Sequence, residues 1–207
     1  MVSAAIARLA SEIKNCRICD SKRIPVSHTA ITERGSGAFA FIVGIEPGNT
    51  EVSKGEPFSG LAGKRLMEWL TRAGLGSDRA AVLRQTYLTS LIKCHVSEKK
   101  YFSRAVKNCA PFLVRQLELV KPSVLITLGQ EPIRFLFGSE APLEALVGKA
   151  LLEQELSSSL FPVLPVGTKV VPLPHPSPLS RWLNSNENKN RLDAAIGVLR
   201  KLYKGNS

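Results

Sequence analysis

Four cysteines stand at spacings suited to gathering around one inorganic centre. Cys16 and Cys19 form a C-x-x-C pair, Cys94 follows after a long gap, and Cys109 comes after it. Thiolates are soft donors, so the occupants such a set suits are zinc or an iron–sulfur cluster. A zinc ribbon usually supplies its second pair as another C-x-x-C knuckle. The wide separation of Cys94 and Cys109 suits a [4Fe–4S] cubane better. The alternatives are two disulfides or four unrelated buried thiols. No signal-peptide-like or long apolar run opens the sequence, so a reducing, cytoplasmic setting is expected and disulfides lose ground.

Two further segments carry groups that could do chemistry. The first, Gly44 to Gly63, reads G-I-E-P-G-N-T-E-V-S-K-G-E-P-F-S-G-L-A-G. Its glycines let the backbone turn tightly and approach a ligand, while Pro47 and Pro57 stiffen it. It carries two carboxylates, Glu46 and Glu51, and the aromatic face of Phe58. The second, Pro174 to Arg181, reads P-H-P-S-P-L-S-R. Here His175 sits between two prolines and is followed by Ser177, Leu179, Ser180 and Arg181. Singly, a Gly/Pro loop is usually just a loop, and a lone histidine is usually a satisfied polar group. His28 and His95 read as ordinary polar residues, and Trp69 and Trp182 as packing residues.

The elements that must position these groups follow from hydrophobic periodicity. Residues 3–14 space Ile6, Leu9 and Ile13 as one helical face leading into the cysteine pair. Buried strands are expected at Ala38–Gly44, Tyr87–Ile92, Ser123–Leu128 and Lys169–Leu173. Between them, helices are expected at Ala62–Ala73, Ser103–Val120, Gly129 to about Phe137 and Glu187–Tyr203, with a helical piece around residues 142–155. Apolar strands alternating with helices predict a three-layer α/β/α sandwich around a mainly parallel four-stranded sheet, in one domain spanning residues 1–207. In such sheets a site collects beyond the carboxyl ends of the strands. The Gly44 loop, the segment after Ile92 and the segment after Leu173 all lie there.

The balance of 28 Lys and Arg against 17 Asp and Glu gives a net charge of +11. Such an excess is the footprint of a protein that meets polyanions, although solvated lysine faces also produce it. A hydrophobic content of 44% excludes a disordered tail protein. No apolar stretch approaches bilayer length, so no membrane partner is expected.

Taken in order, the cysteine spacing and the two motifs resemble the uracil-DNA glycosylase superfamily, and within it the iron–sulfur branch, family 4. The resemblance runs from Cys16 to the final helix. It includes K-C after the second strand, N-C-A-P-F-L around Cys109 and the S-V-L-I-T-L-G strand. It implies that Cys16, Cys19, Cys94 and Cys109 ligate a [4Fe–4S] cluster. Phe58 falls on the residue that stacks on an extruded base, and His175 on the one that hydrogen-bonds the departing base. Leu179 falls on the side chain that fills the gap left by the flipped nucleotide, with Ser177, Ser180 and Arg181 beside it on the DNA.

Gly44, Ile45 and Ser90 complete the implied substrate pocket, and here the sequence departs from the branch. Ile45 replaces its first acidic residue and Val52 another; Ser90 replaces a base-reading Asn. Glu46 occupies the slot where the mismatch-specific and single-strand-selective branches carry a catalytic Asn.

Cutting an N-glycosidic bond needs donors aimed at the leaving base and a group that places water below the sugar carbon. His175 suits the first task, and Glu46, supported by Glu51, the second. Arg181 and the general basic excess suit the phosphates. The expected activity is a monomeric, monofunctional glycosylase that flips uracil or a related deaminated base out of DNA. The losses at Ile45 and Ser90 also suggest an alternative, a non-catalytic or very slow lesion-binding protein on the same fold.

Overall fold

Five buried or half-buried segments pair into one sheet in the computed structural model, which describes residues 2–32, 35–138, 140–152 and 164–206. They are β1 (Ala40–Gly44), β2 (Thr86–Ser90), β3 (Val124–Leu128), β4 (Leu151–Leu152) and β5 (Lys169–Leu173). Their order across the sheet is β2-β1-β3-β5-β4. The first three and β5 run parallel, and β4 runs antiparallel to β5. Because β1 is followed by a strand on one side and later flanked by β3 on the other, a crevice opens at its carboxyl end.

Side chains alternate along a strand, so each face of the sheet has its own helical layer. Ala40 and Ile42 pack with Leu66 and Leu70 of α4 (Leu61–Arg72) and with Ile196 and Leu199 of α9 (Asn186–Lys204). Phe41 and Val43 face the other way, onto Leu113 and Leu117 of α6 (Phe102–Val120). The Phe41 ring stacks on Tyr87 with centroids 5.0 Å apart. At the amino end, α1 (Val2–Lys14) lays Leu9 and Ile13 beside Phe112 and Leu119 of α6, and the short α2 (Ile18–Ser21) follows it.

The expected parallel strands and long helices are present, with three differences. The sheet has a fifth strand. The helical piece expected around residues 142–155 is only α8 (Leu143–Leu146); Gly148, at φ +98°, then turns the chain so that Leu151 pairs with Val170. Positions 153–155 of that expectation lie outside the described residues. Three short helices occupy stretches with no predicted element: α2, then α3 (Asn49–Lys54) and α5 (Arg79–Gln85). The last of these starts where the Asp78 carboxylate accepts from the Ala81 amide at 2.8 Å. The remaining helix, α7 (Gln130–Phe137), begins at Gly129 directly after β3.

One polar cluster lies inside the α6 layer. Lys93 is only 1% exposed, and its Nζ donates to Thr89 Oγ1 (2.7 Å), the Ser90 carbonyl (2.6 Å) and Gln116 Oε1 (2.8 Å). Gln116 in turn donates from Nε2 to the Tyr87 hydroxyl at 3.1 Å. A buried ammonium is tolerated when its protons are satisfied, so this cluster ties the end of β2 to α6. Replacing Gln116 with Leu removes an acceptor from a buried cation, and should lower the unfolding free energy by about 3 kcal/mol in urea titrations.

Candidate active site

A cleft of about 370 Å³ opens beyond the carboxyl ends of β1, β2 and β5. The residues after β1 contribute Ile45, Glu46, Glu51 and Phe58; Ser90 closes β2; His175 and Ser177 follow β5. Gly44 lies beneath Phe58, where a Cβ would meet the ring Cζ at 3.0 Å. Residues distant in sequence are thus gathered because parallel strands deliver their following loops to one edge of the sheet.

Phe58 adopts φ +52°, a left-handed conformation uncommon for a bulky side chain and typical of functional positions. Two contacts hold it there. Arg79 Nη2 donates to its carbonyl at 3.4 Å, and α4 passes so close that a Cβ on Gly63 would lie 1.7 Å from the same oxygen. Glu51 frames the loop. Its Oε2 accepts from the Gly48 amide (3.2 Å) and its Oε1 from the Gly60 amide (2.8 Å). Those amides belong to the N-caps of α3 and α4, so one carboxylate joins two helix N-termini, where negative charge is favoured.

His175 is half-buried, and burial alone pushes its pKa below the ordinary imidazole value. The Ser177 amide donates to its Nδ1 at 3.2 Å. An accepting Nδ1 requires the neutral ring with its proton on Nε2, leaving Nε2–H as the free donor. The loop is braced by Arg65 of α4, whose Nη1 donates to the Ser177 carbonyl at 3.4 Å.

Glu46 points across the loop toward the segment after β2. Its Oε2 accepts from the Val96 amide at 2.7 Å, and its Oε1 lies 3.6 Å from His95 Nδ1. Burial raises its pKa above the ordinary glutamate value, against the pull of the Val96 amide and the His95 ring. His95 itself lines the cleft, its Nδ1 also 3.1 Å from the Pro47 carbonyl. Its reading as an ordinary polar residue missed this placement; its position just beyond a strand's carboxyl end was the available signal. Ser90 is 8% exposed, and its hydroxyl donates to the Ile92 carbonyl at 2.7 Å.

The remaining expected site residues lie elsewhere. Leu179, 91% exposed, Ser180 and the exposed Arg181 follow the His175 loop outside the cleft. Cys16, Cys19, Cys94 and Cys109 line a separate hollow, and none is in a disulfide. Burial and the neighbouring cysteines push the Cys94 thiol up to about 12, and burial pushes Cys109 up as well. Cys94 and Cys109 resist ionising as free thiols unless a cation compensates them, which fits a thiolate-bound inorganic centre. The described His, Cys, Asp and Glu side chains, as they stand, include no group of three or more arranged to hold a single metal ion. The Asn108 amide donates to Cys19 Sγ at 3.6 Å, and Lys22 Nζ to Asn108 Oδ1 at 2.8 Å.

Sequence comparisons agree with this geometry. The profile of the Uracil DNA glycosylase superfamily matches residues 36–200. A type-4 uracil-DNA glycosylase of Archaeoglobus fulgidus is 35% identical over 127 residues, which cover 61% of this chain and 60% of that protein. One from Saccharolobus solfataricus is 32% identical over 131 residues, covering 62% and 57%. One from Thermotoga maritima is 25% identical over 174 residues, covering 84% and 82%. The chain therefore matches less than two thirds of the length of the first two relatives.

The bridging geometry of Glu51 yields a stability prediction. Glu51→Gln turns one acceptor into a donor facing a backbone amide. It should destabilise the protein by about 1–3 kcal/mol in thermal or urea unfolding, through the loop rather than through chemistry.

Proposed function

The chain belongs to the uracil DNA glycosylase superfamily, and on that premise we propose that it is a monomeric DNA repair glycosylase releasing uracil or a related deaminated base. The observation that carries the reading is a neutral imidazole with a free Nε2–H in the same cleft as an aromatic ring and a half-buried carboxylate. The target nucleotide is flipped out of the stack at a cost of a few kcal/mol. Stacking on Phe58, worth about 1–3 kcal/mol, and insertion of the exposed Leu179 into the gap offset it. Ser177, Ser180 and Arg181 then hold the neighbouring phosphates. Lys54, Lys64 and Arg79 line a groove of about 840 Å³ that shares Phe58, and lie within reach of the same strand.

In the cleft, His175 donates from Nε2 to the carbonyl oxygen of the departing base, which leaves with the electrons of the broken C–N bond. Glu46 holds a water against the sugar carbon and takes up its proton as the C–O bond forms; its charge also favours the developing oxocarbenium. Glu51, with both oxygens on backbone amides, keeps the loop in shape. Both titrating groups act in one direction. His175 stays neutral to below the ordinary imidazole value of 6.5, and Glu46 ionises only above the ordinary glutamate value of 4.5. Activity should therefore rise along an acid limb and stay level through neutral pH.

Uracil-containing duplexes in single-turnover assays test the reading. Glu46→Gln should retain DNA binding while slowing base release by about 10²–10⁴-fold and flattening the acid limb. Tight, salt-sensitive binding with no base released by the wild-type protein would establish the lesion-binding alternative instead.

The four thiols, ionised, would hold a [4Fe–4S] cluster, and the Lys22–Asn108–Cys19 chain gives one sulfur the outer hydrogen bond such clusters commonly receive. When bound, the cluster supplies a structural tie between the N-terminal segment, the end of β2 and α6. Protein purified without oxygen should be brown, absorb broadly near about 400 nm and carry about four irons per chain. Stoichiometric zinc from iron-replete cells would overturn this assignment.

A further inference from the structure

We infer that Leu61 is a second apolar contact to the DNA, packing against the nucleotide next to the extruded one where the strand passes from the basic groove into the cleft. The inference rests on the base-flipping reading and adds a residue to it. Leu61 is 71% exposed, and among the described residues only Val166 and Leu179 are barer large apolar side chains. It opens α4, so residues three and four further on share its face. These are Lys64, which lines the groove of about 840 Å³, and Arg65, whose Nη1 donates to the Ser177 carbonyl at 3.4 Å. Its chain neighbours divide in the same way, for Gly60 lines the groove and Ala62 the cleft. Leu61 itself lines neither hollow, so it stands on the saddle between them. Helical side chains lean toward the helix N-terminus, which carries the Leu61 methyls over that saddle.

The groove sets four cations, Lys54, Lys64, Arg72 and Arg79, against two carboxylates, Glu56 and Glu68, a balance that suits a phosphate backbone. Phe58 belongs to both hollows, so a strand held in the groove delivers a nucleotide to the ring by crossing Leu61. Extruding that nucleotide strips a stacking partner from its neighbour. An apolar side chain at the crossing covers the face so exposed, while Leu179 fills the gap itself. The support beneath Leu61 is firm. Glu51 holds the Gly60 amide at 2.8 Å, and α4 is pressed against the Phe58 carbonyl at Gly63. Ser177 braces both leucines, since its carbonyl takes Arg65 and its hydroxyl accepts from the Leu179 amide at 3.2 Å.

Single-turnover release from duplex and single-stranded oligonucleotides carrying one uracil, with the full cluster-bearing chain, tests the inference. Leu61→Ala should slow release from the duplex by about tenfold, the loss expected for removing buried methyl groups. Release from the single strand should change far less, because extrusion costs least there. Leu61→Met should restore most of the duplex rate. Leu61→Lys should not, although it adds a cation beside the phosphates. Thermal melts of all three should match the wild type. Undiminished duplex release by Leu61→Ala, an equal loss on both substrates, or a wild-type rate in Leu61→Lys overturns the inference and leaves the glycosylase reading standing. If the wild-type protein releases no base, the glycosylase reading falls, and 2-aminopurine placed beside the lesion decides for Leu61. Its fluorescence should rise when saturating wild-type protein unstacks its neighbour, and rise less with Leu61→Ala; an equal or absent rise overturns the inference.

Discussion

One carboxylate bridging two helix N-termini is the constraint on which the rest of the cleft depends. Glu51 ties the heads of α3 and α4 together and so closes the loop that carries Phe58. Within that loop, Phe58 is held by Arg79 and Gly63 in a left-handed conformation uncommon for a bulky side chain. The close passage of α4 past the Phe58 carbonyl, possible only because Gly63 lacks a side chain, keeps the ring over Gly44. The orientation of the aromatic face is therefore set by the fold itself. Preorganisation of this kind removes the ordering penalty that a mobile loop would pay on binding.

Burial acts on the site's ionisable groups in opposite senses. It favours the uncharged form everywhere, so it lowers the imidazole of His175 and raises the carboxyl of Glu46 and the thiols of Cys94 and Cys109. In one cleft it thus favours a neutral imidazole and a carboxyl that protonates more readily than usual, a difference set by environment and by the sign of each group's charge. In the cysteine hollow it disfavours the thiolate forms of Cys94 and Cys109. The two places are only a few residues apart along the chain, because Lys93 and Cys94 follow β2 directly after Ser90. The buried Lys93 ammonium, bonded to the Ser90 carbonyl on one side and to α6 on the other, is the strut between them.

Much of this was legible in the sequence because it depends on period and punctuation. Apolar runs ended by Gly44 or followed by Gly129 read as buried strands, and their alternation with helical faces implied a parallel sheet with loops gathered at one edge. The grouping of Glu46, Phe58, Ser90 and His175 follows from that architecture. The two-residue β4 was not legible, since Leu151 and Leu152 carry no periodic signal and pair only because Gly148 reverses the chain. Nor was α3, whose polar sequence forms a helix on the strength of the Glu51 bridge. The direction of individual side chains was hidden as well. Glu51 reads as a candidate for chemistry, yet both of its oxygens face backbone amides. His95 reads as incidental, yet it lines the cleft opposite Glu46.

The hydrogen bond that fixes the His175 tautomer comes from the main chain of Ser177, not from a side chain. Every residue but proline brings the same amide to that position. The choice of which ring nitrogen holds the proton is therefore insulated from sequence drift in its surroundings. A substitution at a position such as Ser90 would change the other end of the cleft while leaving this donor unaltered. The main chain thus carries a part of the site that substitution does not reach, and the side chains carry what can be tuned.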